Sequence, residues 1–162
     1  MENLEYISRF EEYPSAEALP ASDRELIEHA VRFTENAYAP YSKFFVGAAL
    51  RLSNGQIITG SNQENVAYPS GLCAERVALF HASSHFPGEA VEAIAITARA
   101  EEFEITHPVA PCGSCRQVMA ETENRQRKPM RVIMKGHTGK VYATNGIVNL
   151  LPFMFQAEEL KK

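Results

Sequence analysis

All three cysteines of this 162-residue chain lie in two short stretches whose spacing predicts a metal site. Cys73 comes first, and Cys112 and Cys115 follow together with two residues between them. Zinc binds such thiolates, and a structural zinc site normally has four protein ligands, whereas a catalytic site leaves one position for water. Because the chain has no fourth cysteine, we predict that Cys73, Cys112 and Cys115 bind one catalytic zinc ion per subunit.

Two charged residues next to Cys73 fit the same chemistry. Zinc lowers the pKa of a water molecule that it binds, and the carboxylate of Glu75 is close enough in sequence to carry the released proton. Three thiolates exceed the charge of one zinc ion, so we expect helix N-termini and the Arg76 guanidinium to offset the excess. This combination is typical of hydrolytic deamination.

The same cysteines allow two other interpretations. Cys112 and Cys115 could join His81 and His85, which are four residues apart, in a structural zinc module that has no catalytic role. They could also form a redox-active dithiol. Neither alternative gives Cys73 or Glu75 a role, and Cys73 lies about 12 Å from His81 along one helix. Outside such a module, we expect His81 to face the core and His85 to interact with the C-terminus of its helix. The metal content of variants separates the zinc alternatives.

The motif C-x-E followed by P-C-x-x-C resembles the signature of the zinc deaminases. More closely, the chain is similar to the small, homotetrameric cytidine deaminases over residues 22 to 160. The likeness is carried by seven blocks: Ala39 to Phe44, Val46 to Leu50, Asn62 to Asn65, Tyr68-Pro69, Cys73 to Arg76, Pro111 to Gln117, and Leu150 to Phe155.

The resemblance implies hydrolysis of cytidine and deoxycytidine to uridine and deoxyuridine, with release of ammonia. It makes Glu75 the proton shuttle and Arg76 the residue that drains charge from the zinc-bound sulfur. It also implies a homotetramer with shared active sites. The implied substrate contacts are Phe44 against the nucleoside, Asn62 and Glu64 on the ribose, the Ala74 N–H on the base carbonyl, Tyr68 near a subunit contact, and Phe155 from a neighbouring subunit.

Two positions depart from the family pattern. Phe45 stands where the family usually has proline, and Ala110 replaces a common serine before Pro111. These changes bear on the shape of the substrate pocket. The alternative substrate is therefore another aminated pyrimidine nucleoside such as blasticidin S, whose deaminase is similar in fold and motif.

Composition excludes several other classes of protein. A net charge of -4 disfavours nucleic acid as a partner, because the chain repels polyphosphate overall. The sequence contains no apolar run of membrane-spanning length and no secretory leader, so we expect no membrane contact and a cytoplasmic location. A reducing compartment would also keep the three cysteines as thiols.

The elements that must position these residues follow from periodicity and turn signals. We interpret residues 1–21, which contain Pro14 and Pro20, as an N-terminal extension, and residues 22–162 as the catalytic domain. A helix capped by Ser22, a hairpin turning at Asn54-Gly55, and helices starting near Cys73 and Cys112 alternate with further β-prone runs. This order predicts a three-layer α/β/α sandwich with a central five-stranded mixed sheet.

Overall fold

The computed structural model of the chain describes residues 1–156. The last six residues of the predicted catalytic domain, 157–162, lie outside the described residues. Three α-helices are present: α1 (Ala21–Phe33), α2 (Ala74–His85) and α3 (Gly113–Gln126). Six strands are present: β1 (Glu11–Tyr13), β2 (Phe44–Leu52), β3 (Ile57–Ser61), β4 (Val91–Ala100), β5 (Arg131–Lys135) and β6 (Val141–Asn145). No helix among residues 1–156 is long and apolar enough to cross a bilayer.

The strands form one mixed sheet in the order β1-β6-β5-β4-β2-β3. The β4–β5 pair is parallel, and the other pairs are antiparallel. The chain reaches β5 from β4 through α3, as a parallel connection requires. The β2–β3 hairpin turns where the sequence predicts it, with Gly55 at a φ of +83° that glycine adopts without steric cost.

Helices cover both faces of the sheet, which confirms the three-layer architecture. On one face α1 packs Leu26, Ile27 and Ala30 against Ala49 and Ile133. On the other face α2 and α3 pack against the alternate residues of the same strands, including Leu50, Ile94 and Val132. The alternation follows from the strand period of two, which sends successive side chains to opposite faces.

The sheet contains a sixth strand that the sequence analysis did not predict. β1 belongs to the segment interpreted as an extension, and it pairs with β6 at the edge of the sheet. Three residues, two of them glutamates, give no alternating apolar signal, so propensity alone could not identify this strand. Tertiary contacts hold this strand in place instead. The Arg131 guanidinium donates hydrogen bonds to both carboxylate oxygens of Glu11, at 3.0 and 2.6 Å.

Two local predictions about helices were also wrong. α1 begins at Ala21 after Pro20, so Ser22 lies in the first turn and does not cap the helix. Proline before or at the first helical position costs no hydrogen bond, because the first N–H groups have no acceptor within the helix. On α2 we expected His81 to face the core, but its side chain is exposed.

The Glu11–Arg131 contact predicts how stability depends on pH. Hydrogen bonding from Arg131 lowers the pKa of Glu11 to about 2, below its ordinary value of 4.5. The contribution of this pair should therefore be complete above pH 4.5 and decline as the pH falls from 4.5 toward 2. Because Glu11 is largely exposed, we expect Glu11→Gln to cost at most about 1 kcal/mol of unfolding free energy at pH 7.

Thermal melts of wild type and Glu11→Gln test this expectation. The melting temperature should differ by at most about 2 to 4 °C at pH 7, and the difference should shrink as the pH is lowered through 4.5. Glu5→Gln, which lies upstream of β1, is the matched control and should melt like wild type. A difference between wild type and Glu11→Gln that is the same at every pH would contradict the assigned cause.

Candidate active site

The three cysteine sulfurs converge although they come from separate parts of the chain. The Cys73 Sγ lies 3.8 Å from the Cys112 Sγ, which lies 3.5 Å from the Cys115 Sγ. All three sulfurs lie within 4.8 Å of one another. Cys115 is buried, Cys73 is half-buried and Cys112 is exposed, so the cluster opens to solvent on one side. This donor set fits a zinc ion with one position left for a further ligand.

Helix geometry explains the convergence. Cys73 immediately precedes α2, and Cys112 immediately precedes α3, so two helix N-termini meet at the sulfur cluster. Unbonded N–H groups at a helix N-terminus carry partial positive charge, which favours thiolates there. Gly60 of β3 makes the approach of α2 possible, because a Cβ at this position would lie 2.5 Å from the Ala74 carbonyl oxygen.

Hydrogen bonding among the cysteines favours the thiolate form that a metal ion binds. A hydrogen bond from the Cys115 thiol, together with the Arg76 guanidinium, lowers the pKa of Cys73 to about 5 although burial opposes them. The same bond to Cys73 raises the pKa of Cys115. One thiolate is therefore present at neutral pH, and it provides a first ligand for a divalent cation.

Arg76 and Glu75 lie beside the sulfurs. The Arg76 Nη2 is 3.8 Å from the Cys73 Sγ, and the buried Arg76 Nε has no hydrogen-bond partner among residues 1–156. Glu75 is only 4% exposed and lines the cavity described below. Burial raises the pKa of the Glu75 carboxyl. A carboxyl group held next to a metal site can accept a proton and later donate it.

A cavity of about 670 Å³ leads from the sulfur cluster to the surface. Its volume suits a ligand the size of a nucleoside. The lining combines residues of the predicted substrate site with residues of the metal cluster: Phe44, Asn62, Glu64, Tyr68, Cys73, Glu75, Arg76 and Cys112. The sequence-predicted residues from β2, the β3–α2 loop and α2 thus share one cavity.

Asn62 and Glu64 are held rigidly by backbone groups. The Asn62 side chain accepts from the Val46 N–H at 2.8 Å and donates to the Phe44 carbonyl at 2.9 Å. Glu64 accepts from the backbone N–H groups of Tyr41 and Ser42. Burial raises the pKa of Glu64, but hydrogen bonding by the Ser42 side chain and by these two backbone groups outweighs it, so the pKa is lowered. Each side chain can still form a hydrogen bond to a ligand, because the Asn62 amide has a second proton and Glu64 has a second carboxylate oxygen.

The other predicted substrate residues occupy different positions. Ala74 is fully buried as the first residue of α2, where its N–H has no acceptor within the helix. Tyr68 lines the cavity but is 79% exposed. Phe155 is 71% exposed and is not part of the cavity lining of its own chain. Gln117 holds the Phe155 backbone by two hydrogen bonds, at 2.8 and 3.2 Å.

The alternative zinc module is not formed. Among residues 1–156, Cys73, Cys112 and Cys115 are the only cluster of three or more side chains of metal-ligating type. His81 and His85 are both exposed and contact each other instead, with ring centroids 4.4 Å apart. His85 Nδ1 also lies 3.2 Å from the His81 carbonyl oxygen, in the last turn of α2.

Of the two departures from the family pattern, Ala110 lines the cavity and Phe45 does not. Phe45 belongs to the opposite face of β2 from Phe44, and the Arg99 guanidinium stacks on its ring at 4.2 Å. The sequence analysis assigned no role to Tyr41 and Ser42, although both lie in the block Ala39 to Phe44, and it did not identify Phe103, which stacks on Phe44 from outside the lining. Tyr41 and Ser42 act through backbone N–H groups, which side-chain patterns do not reveal, and Phe103 lies in a polar segment without a motif.

Comparison with known proteins agrees with this geometry. Residues 20–129 match the model of the cytidine and deoxycytidylate deaminase zinc-binding region. A cytidine deaminase of Halalkalibacterium halodurans is 42% identical over 83% of this chain and 95% of its own length. One from Sporosarcina psychrophila is also 42% identical, over 83% of this chain and 92% of its own length. The crystal structure of cytidine deaminase from Burkholderia pseudomallei superposes with a TM-score of 0.70 at 42% identity, covering 81% of this chain and 97% of that chain.

Proposed function

Because this chain belongs to the cytidine and deoxycytidylate deaminase zinc-binding family, we propose that it hydrolyses cytidine and deoxycytidine to uridine and deoxyuridine. One observation carries the proposal: three sulfurs within 4.8 Å of one another and the buried carboxyl of Glu75 meet in one cavity large enough for a nucleoside. This arrangement combines a metal site that is open on one side with a proton carrier, and hydrolytic deamination requires both.

Cys73, Cys112 and Cys115 would hold the zinc ion, and the ion would supply Lewis-acid activation of the attacking water. Glu75 accepts one proton from that water while the water oxygen bonds to C4 of the cytosine ring, and Glu75 passes this proton to N3. Glu75 then takes the remaining proton from the new C4 hydroxyl and delivers it to the 4-amino nitrogen, so that the C4–N4 bond breaks, C4 becomes a carbonyl and ammonia leaves. The raised pKa of Glu75 suits this role, because the protonated carboxyl must be accessible during the cycle.

The remaining residues bind and orient the substrate in this proposal. The Ala74 N–H donates to the base carbonyl, and Phe44 packs against the nucleoside. Asn62 and Glu64 hold the ribose hydroxyls through their unused hydrogen-bonding capacity. Because backbone bonds already fix these two side chains, little conformational entropy is lost when the ribose binds. Arg76 stabilises the thiolate of Cys73.

Ammonia release tests the proposed reaction directly. The purified protein loaded with zinc should release ammonia from cytidine and deoxycytidine, and the ultraviolet spectrum should change to that of the uracil product. Free cytosine should react poorly, because it lacks the ribose that Asn62 and Glu64 bind. Turnover of blasticidin S alone would favour the alternative substrate, and no turnover of any of these compounds would contradict the proposal.

We also propose a homotetramer in which Phe155 completes the cavity of a neighbouring subunit. The support is its exposure at 71% on a segment that two bonds to Gln117 hold in place. An exposed aromatic residue on an ordered segment suits insertion into a partner. A cytoplasmic location is part of the same proposal, since the three cysteines are free thiols.

Mixing two inactive variants tests the shared site. Phe155→Ala and Glu75→Gln should each have low activity as homotetramers, but mixed tetramers should gain activity. In those tetramers, some cavities combine Glu75 of one chain with Phe155 of another. Coexpression with two different affinity tags and assay of the doubly tagged fraction measures the gain. A monomer in solution, or a mixture with no gain, would argue against shared sites.

A further inference from the structure

Phe103 is an aromatic residue in contact with the cavity wall that neither the sequence motifs nor the proposed mechanism uses. It lies in the segment that joins β4 to Cys112, three residues after Ala100, which pairs with Phe44 at the start of β2. The Phe103 ring stacks on the Phe44 ring, with centroids 6.5 Å apart and an interplanar angle of 29°. Phe44 lines the cavity and Phe103 does not, so Phe103 contacts Phe44 from outside the lining.

The backbone on both sides of Phe103 is anchored. The Glu101 N–H donates to the Lys43 carbonyl at 3.3 Å, which ties the segment to the residue before Phe44. The Ile105 carbonyl accepts from the N–H groups of His137 and Thr138, at 2.7 and 3.3 Å. Phe103 is 59% exposed, yet it lies within two residues of a backbone anchor in each direction. Its position over Phe44 is therefore built into the fold.

Phe44 needs a second contact of this kind. Its backbone is fixed, because its N–H donates to the Ser42 hydroxyl and its carbonyl accepts from the Asn62 amide. Its ring is only partly buried, however, and one side of it must stay open to the cavity. A stacked aromatic partner limits the rotamers of such a ring and so reduces the entropy lost when a ligand packs against it.

We propose that Phe103 is a positioning residue that holds the Phe44 ring in the orientation that receives the nucleoside. This inference rests on the proposed function, in which Phe44 packs against the substrate. Phe103 acts through Phe44 and does not itself touch the reacting atoms. Removing its ring should weaken substrate binding more than it slows the chemical step.

Steady-state kinetics with cytidine test the proposal. Phe103→Ala should raise KM about twofold to tenfold, the factor that corresponds to the loss of one aromatic pair, with a smaller change in kcat. Phe103→Tyr keeps the ring and should restore the wild-type KM. Phe10→Ala is the matched control, since Phe10 is another exposed aromatic residue at the opposite edge of the sheet, and its KM should equal that of wild type.

A double-mutant cycle with Phe44→Leu tests whether Phe103 acts through Phe44. In the Phe44→Leu background, Phe103→Ala should change KM by less than twofold, because the ring that it positions is absent. An unchanged KM for Phe103→Ala, or the same increase in both backgrounds, would overturn the role of Phe103 in an enzyme that still deaminates cytidine. A wild-type protein that releases no ammonia from cytidine would overturn the proposed function itself, and this inference with it.

Discussion

Glu75→Gln is expected to retain its zinc and to lose about 10²- to 10⁴-fold of its turnover with cytidine. Glutamine has nearly the same shape as glutamate, and the three sulfur ligands are unchanged, so the metal site should persist. The amide cannot accept a proton from water or deliver one to N3 and the leaving amino group. The measurements are kcat for cytidine and the zinc content of the same protein sample.

Glu121→Gln provides the matched control, because Glu121 is an exposed residue on α3, six positions after Cys115. This variant should keep both its zinc and its turnover. Cytidine should still bind to Glu75→Gln, since Phe44, Asn62 and Glu64 remain in place, and titration calorimetry measures that binding. Wild-type turnover by Glu75→Gln would rule out the proton shuttle, and loss of zinc from it would mean that the carboxyl supports the metal site.

The metal cluster was predictable from sequence because its chemistry depends on residue type. Three cysteines and no fourth, with a carboxylate two residues after the first, already indicate a site open to water. Helix N-termini at Cys73 and Cys112 followed from the periodicity of the residues after them, and the structure has both helices beginning at the next residue. The convergence of the sulfurs needed only that both helices lie on the same face of the sheet.

The missed features depend on backbone groups or on contacts distant in sequence. Glu64 is held by two backbone N–H groups, and Asn62 bridges two backbone positions of β2. Neither contact leaves a side-chain pattern. β1 is ordered by pairing with β6 and by the bond of Glu11 to Arg131, 120 residues away in sequence. Local propensity carries no information about such contacts.

Cys73→Ser is the variant expected to have the largest effect on the metal. The serine hydroxyl does not ionise near neutral pH, so the site loses the thiolate of Cys73, whose pKa is lowered to about 5. Loss of an outer partner of a metal ligand typically costs about 10- to 100-fold in affinity, and loss of a ligand should cost more than that. Zinc affinity by competition with a chromophoric chelator measures the change, and deaminase activity should fall with zinc occupancy.

The fold itself should survive this substitution, because the core does not depend on the metal. A chain of this length buries about 70% of its unfolded surface, and the two apolar clusters on either face of the sheet contain no zinc ligand. The far-ultraviolet circular dichroism spectrum of Cys73→Ser should therefore match that of wild type. A collapsed spectrum would mean that the fold depends on the metal that Cys73 helps to bind.

A variant that lacks both histidines tests the alternative zinc module. His81→Ala with His85→Ala should keep the full zinc affinity, because both side chains are exposed and lie outside the cysteine cluster. The rival module predicts the reverse, with zinc lost from the double variant and retained by Cys73→Ser. The two substitutions therefore give opposite results for the two sites. Only a zinc site that needs Cys73 and is indifferent to both histidines lies beside Glu75, where a proton carrier can serve the hydrolysis.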